Sequence, residues 1–264
     1  MLTAKTSDRH ELYEQSVQEP EAECDLIEQI WKEQRDRPCR LIREDFCGTA
    51  VVAMEWIKRR RAHTAIGVDL DGEVLQWARK RIPQRLTKEQ RERLTLLQEN
   101  VLEVDTPQVD SVLAMNFSYY LFRTRAELVR YFEIARDAMV DDGIFLLDAY
   151  GGSESFEEME EERELDGFTY VWDQHHYSPI TGDAVNYIHF DFPDGSRLER
   201  AFEYHWRLWT LPEIREMLEE AGFRNVWVYW EGTDEDGDGD GDWAVETVGE
   251  ACAGWVAYLA ASKI

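Results

Sequence analysis

Two acids at the ends of apolar runs mark the part of the chain equipped for chemistry. Glu44 opens the turn Glu44-Asp45-Phe46-Cys47-Gly48-Thr49-Ala50, and Asp69 closes Thr64-Ala65-Ile66-Gly67-Val68-Asp69, just before Leu70. A tight turn of small residues after a strand lets a ligand approach the backbone and the start of the next helix. An acid at the end of the neighbouring strand accepts hydrogen bonds from both hydroxyls of a ribose. With 55 Asp and Glu in 264 residues, a lone acid reads as a solvated surface group. Two at consecutive strand ends, beside such a turn, describe a nucleoside site. Glu99-Asn100-Val101-Leu102 and Met115-Asn116-Phe117-Ser118-Tyr119 follow the next two apolar runs. Asn100 and Asn116 there fit either ligand contact or the tolerance of Asn for turns.

Acid–base chemistry near neutral pH is the province of histidine. His175, His176 and His189 fall in a stretch of strand-like alternation. Strict alternation puts His176 on one face with Phe168, Tyr170 and Trp172, an aromatic wall able to hold an amine. His176 is therefore the first acid–base candidate, with His175 and Tyr119 behind it.

The elements that must position these residues follow from the hydrophobic pattern. Residues 40–149 alternate short apolar runs with amphipathic helical stretches, the mark of a parallel sheet covered on both faces. Five strands are expected, at 40–44, 64–69, 94–98, 109–116 and 143–149. From 151 the pattern changes. A Glu-rich stretch, 154–164, precedes three strands at 168–177, 184–192 and 197–206, an antiparallel insertion. Thr210 with Glu213 forms a capping box for a helix ending at Gly222. Two last strands, 224–231 and 254–262, are joined by a long acidic loop with no helix, which favours antiparallel neighbours. The expected division is an N-terminal helical cap at 1–39, a core at 40–150, the insertion at 151–209 and the end of the core at 210–264.

In this order the pieces resemble the class I S-adenosylmethionine-dependent methyltransferases. That family's first motif is an acid followed by Gly-x-Gly-x-Gly. Glu44 matches the acid and Gly48 the central glycine, while Phe46 and Ala50 stand where the outer glycines lie. The resemblance covers roughly residues 40–150 and 208–264. It implies a Rossmann-like α/β sheet, mostly parallel with an antiparallel C-terminal strand, and S-adenosyl-L-methionine as cofactor. The cofactor would lie against Glu44, Phe46, Cys47, Gly48, Asp69, Leu70, Asn100, Val101, Leu102 and Asn116, with Tyr13 of the N-terminal segment folded over it. The insertion would roof the pocket of a small-molecule acceptor, an amine being favoured. A dehydrogenase needs a glycine-rich turn that Phe46 and Ala50 crowd. The remaining alternative is a non-catalytic binding protein of the same fold whose acidic surface serves a basic partner.

Composition narrows the partners. The formal charge of −26 opposes nucleic acid and anionic membrane surfaces, and the nucleobase-methylating string Asn/Asp-Pro-Pro-aromatic is replaced by Asn116-Phe117-Ser118-Tyr119. Halophilic adaptation or a GC-rich genome would explain the acid excess without any function. No apolar run is long enough for a membrane helix, and the polar start lacks a signal-peptide core, so a cytoplasmic monomer or homodimer is expected. Cys24, Cys39, Cys47 and Cys252 show neither disulfide nor zinc spacing. The run from Asp234 to Asp242 matches the first half of a calcium loop, but position twelve is Val245. A solvated connector without metal is expected.

Overall fold

Each early strand is an apolar run followed within a few residues by a helix start, and that spacing forces parallel neighbours joined by crossovers. The computed structural model, which describes residues 2–233 and 239–264, has this arrangement. Strands β1 (Leu41–Asp45), β2 (Thr64–Asp69), β3 (Leu94–Gln98), β4 (Val109–Ala114) and β5 (Met139–Gly151) are parallel. Helices α3 (Val51–Arg59), α4 (Gly72–Arg85), the short α5 (Lys88–Arg91) and α6 (Arg125–Asp137) connect them. After α7 (Leu211–Glu220) come β10 (Asn225–Thr233), β11 (Gly239–Val245) and β12 (Trp255–Ser262), giving the sheet order β11-β10-β12-β5-β4-β1-β2-β3. Strand β12 lies antiparallel between β5 and β10. The order reverses between β1 and β4, where ligands of such sheets bind.

Alternation along the strands sorts the core into two layers. Ile42, Ala65, Leu113 and Ile144 face α3 and α2 (Pro20–Gln34), meeting Trp56, Ile57, Ile27 and Trp31. Ile66, Val68, Val112 and Phe145 face the other way, against Leu128 and Phe132 of α6 and Met217 of α7. The capping box of α7 forms, with the Glu213 carboxylate accepting the Thr210 N–H at 2.9 Å.

A second, antiparallel sheet carries the insertion in the order β6-β7-β8-β9: β6 (Met159–Leu165), β7 (Phe168–Tyr177), β8 (Asp183–Asp191) and β9 (Arg197–Arg207). Helix α1 (Arg9–Ser16) packs Leu12 and Tyr13 against it. Two strands depart from the expected pattern. Strand β6 occupies the Glu-rich stretch, an edge whose side chains are nearly all exposed, so alternation had nothing to record. Strand β11 occupies the second half of the acidic loop and pairs with β10. Residues 234–238, the first half of the calcium-like run, lie outside the described residues.

Candidate active site

The turn after β1 is built from alternating left-handed residues: φ is 58° at Phe46, 51° at Gly48 and 60° at Ala50. These are the three glycine positions of the motif, so its backbone persists where two of its glycines do not. A side chain costs roughly 1–2 kcal/mol in this conformation. Phe46 offsets the cost by packing its ring 5.6 Å from Tyr131 and 6.2 Å from Phe122. Asp69 fixes the turn: its Oδ2 accepts the Gly48 N–H at 2.7 Å and its Oδ1 the Asp71 N–H at 2.8 Å. A carboxylate has about four acceptor sites, so capacity remains for a ligand. Burial raises the Asp69 pKa, against the pull of these two N–H groups.

Glu44 is buried, and its Oε2 accepts the Ala53 N–H at 3.0 Å in the first turn of α3. Ala50, the residue at that helix's cap, supplies no side-chain cap, so the acid on β1 does its work and meets the positive end of the helix. Burial and the neighbouring charge of Glu23 push the Glu44 pKa well up. Asp45 is held differently, bidentate to buried Arg43 at 2.8 and 3.0 Å with the Tyr131 hydroxyl donating at 3.0 Å.

These elements border a cavity of about 960 Å³ at the carboxyl ends of β1 to β4, under β9 and α1. The volume suits a nucleoside-sized ligand with room beyond it. Of the residues expected to meet a cofactor, Tyr13, Glu44, Phe46, Gly48, Asp69, Leu70, Asn100, Val101, Leu102 and Asn116 all border this cavity. A Cβ built on Gly48 meets nothing within 4 Å. Cys47 is the exception: its thiol is buried beside Gly67, and its N–H bonds Val68 O at 3.0 Å. Asn100 spends its side-chain oxygen on the Leu102 N–H at 3.0 Å. Asn116 adopts a positive φ of 57°, as does Phe117 at 56°. Their N–H groups point at buried Asp148 of β5, 2.7 and 2.9 Å away.

Sequence reasoning passed over Asp148, although an acid inside the run Ile144-Phe145-Leu146-Leu147-Asp148-Ala149 is a signal, since a buried carboxylate needs partners. Burial pushes its pKa up to about 7 against those two N–H bonds.

No protein-family model matches the chain, and no curated protein sequence matches it. Solved structures do. An S-adenosylmethionine-dependent methyltransferase from Clostridium acetobutylicum superposes with a TM-score of 0.71 at 16% identity, over 96% of this chain and 97% of the other. Streptomyces venezuelae DesVI gives 0.69 at 17%, over 98% and 99%. The sugar N-methyltransferase KedS8 from Streptoalloteichus gives 0.65 at 16%, over 100% and 95%. The fold is the Rossmann-like methyltransferase fold.

Within this methyltransferase fold the expected acid–base residues fall elsewhere. The pairing of β7 with β8 slips between Gln174 and His176, a bulge that breaks the alternation used to place His176. His176 lies on the surface, 58% exposed, with Nδ1 2.8 Å from Glu158. His175 is 49% exposed and packs beside Tyr187. Tyr119 is fully buried and donates its hydroxyl to the Asp148 carbonyl at 2.6 Å. None of the three borders the cavity.

The histidines that do are His10 and His205, neither singled out by alternation. His205 Nε2 lies 2.7 Å from the Glu203 carboxylate. His10 packs 5.3 Å from the Trp77 ring, and burial lowers its pKa. Aromatic rings from the opposite face of β9 also border the cavity, Tyr204 and Trp206 4.5 Å apart and Phe202 4.8 Å from Tyr13. On the far side of the roof Glu160, Asp173 and His189 converge. His189 Nδ1 accepts the Arg200 N–H at 2.9 Å, which places the ring proton on Nε2, facing Asp173 at 3.3 Å. That imidazole is a donor there and offers no lone pair to a metal.

Proposed function

We propose that the chain transfers a methyl group from S-adenosyl-L-methionine to an amine of a small molecule. The observation that carries this is Asp69 beside the left-handed turn of the glycine motif, both opening into one cavity at the sheet's switch point. When bound, the cofactor supplies an electrophilic methyl on a sulfonium. The chain's residues have four tasks: to hold the ribose hydroxyls at Asp69, to border the base with Leu70 and residues 100–102, to exclude water, and to orient the acceptor about 3 Å from the methyl carbon. Asp69 and the open face of Gly48 fit the nucleoside.

An amine acceptor is supported by the site's charge and walls. Asp71 and Glu203 border the same cavity as Tyr204 and Trp206, carboxylates and aromatic faces that suit a cationic amine. The likeness to KedS8, titled a sugar N-methyltransferase, and to MtfA, titled a glycopeptide N-methyltransferase, points the same way. An ammonium must lose its proton before it attacks. His205, which borders the cavity and pairs with Glu203, is our candidate to take it.

Incubation with methyl-deuterated cofactor and a panel of amino sugars and primary amines, read by mass spectrometry, tests this. Deuteromethyl on nitrogen is expected; transfer to hydroxyl acceptors alone would remove the amine assignment. His205→Ala should lower kcat at least tenfold. His176→Ala should leave kcat within twofold.

A further inference from the structure

A second cavity, of about 560 Å³, opens at the amino ends of β1 and β2, the end of the sheet opposite the first. It is bordered by residues 35–40, which lead into β1, by Arg60, Ala62 and His63, which lead into β2, and by the last turns of α2. The size suits a small organic molecule. Its buried side is apolar: Trp31, Cys39 and Trp56 border it and are 1%, 3% and 0% exposed. His63 stacks on Trp56 at 3.8 Å and donates its Nδ1–H to the Trp56 carbonyl at 2.9 Å, which fixes that wall. The rim is basic. Lys32, Arg35, Arg37, Arg40 and Arg60 border the cavity against two acids, Glu28 and Asp36, in a chain where acids outnumber bases 55 to 29. Arg37 is paired with Asp110 and Asp142, and Arg60 with Glu28; among the described residues Lys32, Arg35 and Arg40 enter no ion pair. Two buried donors on residues of this cavity also lack acceptors, Nε1 of Trp31 and Nη2 of Arg35. The rest of the Arg35 guanidinium is spent on main-chain carbonyls, Nε on Asp142 at 2.6 Å and Nη1 on Gln34 at 2.7 Å. A donor closed off from both protein and water is costly, so each calls for an acceptor that the chain does not supply.

We propose that this cavity binds a small organic anion, an apolar body carrying a carboxylate or phosphate group. The body packs against Trp31, Cys39 and Trp56, and the acid group meets the basic rim, its oxygens accepting the N–H groups that Trp31 and Arg35 leave unpaired. A guanidinium presents a planar fork that matches either acid group, and Lys32 and Arg40 add positive charge that no carboxylate of the chain offsets. The overall charge of −26 repels a long polyanion, whereas a single acid group within reach of these cations feels chiefly the local field. The site is independent of the cofactor reading: the same two strands carry one cavity at each end.

Phenyl phosphate and benzoate, titrated in parallel into isotope-labelled protein and read on the assigned indole N–H resonances of Trp31 and Trp56, test the site. A saturable shift at Trp31 is expected from at least one of them, with a Kd of about 1 mM or tighter, and the tighter probe identifies the acid group. Benzyl alcohol, which has the ring without the charge, should bind at least about tenfold more weakly, and so should inorganic phosphate, which has the charge without the ring. Arg35→Gln should weaken the tighter probe about fivefold or more, while Arg61→Gln, which removes an exposed cation outside the cavity, should change it about twofold at most. Should Arg35→Gln not fold, Lys32→Gln combined with Arg40→Gln, both exposed, takes its place with the same loss expected. No saturable shift from either acid overturns the site. So does equal binding of benzyl alcohol, equal binding of inorganic phosphate, or binding undiminished in the rim variants.

Discussion

Residues 46, 48 and 50 show what a motif conserves physically. The left-handed backbone is kept at Phe46 and Ala50, and the fold meets the cost with ring packing at Phe46, while the methyl of Ala50 is simply buried. Ala50→Gly should therefore raise stability by up to about 1 kcal/mol, the relief of left-handed strain exceeding the added freedom of the unfolded chain. A lower melting temperature would show that the methyl's packing outweighs the strain. Asp69 was legible from the sequence because its place at a strand end is fixed by the apolar run before it. Asp69→Asn keeps the shape but weakens the acceptance of the ribose hydroxyls. Its affinity for S-adenosylhomocysteine should fall about tenfold or more, measured by calorimetry on a variant with wild-type circular dichroism. His176 was misplaced for an equally specific reason: the bulge at 174–176 depends on how β8 pairs, and no local pattern in β7 records it.

At the scale of elements, the parallel strands and the closing antiparallel pair were readable because burial on two faces writes itself as apolar runs. Strands β6 and β11 were not, since both are edges facing water. Charged side chains on such edges discourage pairing with other chains, which accounts for four acids on β6 alone. Helix α1 has a weak stripe because its hold is polar. Asp8 caps it through the His10 N–H at 2.9 Å and reaches α4 through Trp77 Nε1 at 2.7 Å and Arg81 at 3.1 Å. Arg85 adds a bidentate pair with Glu14 at 2.9 and 2.7 Å. Asp8→Ala should cost about 1–2 kcal/mol and, because α1 covers the cavity, should also speed ligand dissociation. Loss of stability with unchanged dissociation would mean that α1 is a brace and not a cover.

For the whole molecule, a charge of −26 and a set of buried acids act in the same direction on stability. Glu23, with a pKa of about 8, and Asp148, with one of about 7, hold protons in the folded state that the unfolded chain has already lost above ordinary carboxylate values. Stability of the free protein should therefore fall as pH rises from about 5 to 8. Asp8, Asp142 and Glu28, whose pKa values are lowered, work in the opposite sense, and their contribution is lost only as pH falls below the ordinary range. Salt at 1 M screens the surface charge but not the interior, so a slope that survives in salt belongs to the buried acids. A melting temperature that is flat across this window in high salt would contradict their assignment. No helix among the described residues is long and apolar enough to cross a membrane. The most direct test of the central claim is calorimetric titration of the purified protein with S-adenosylhomocysteine. One site per chain with micromolar affinity, weakened about tenfold or more in Asp69→Asn, is the predicted result; no heat at high micromolar ligand would contradict it.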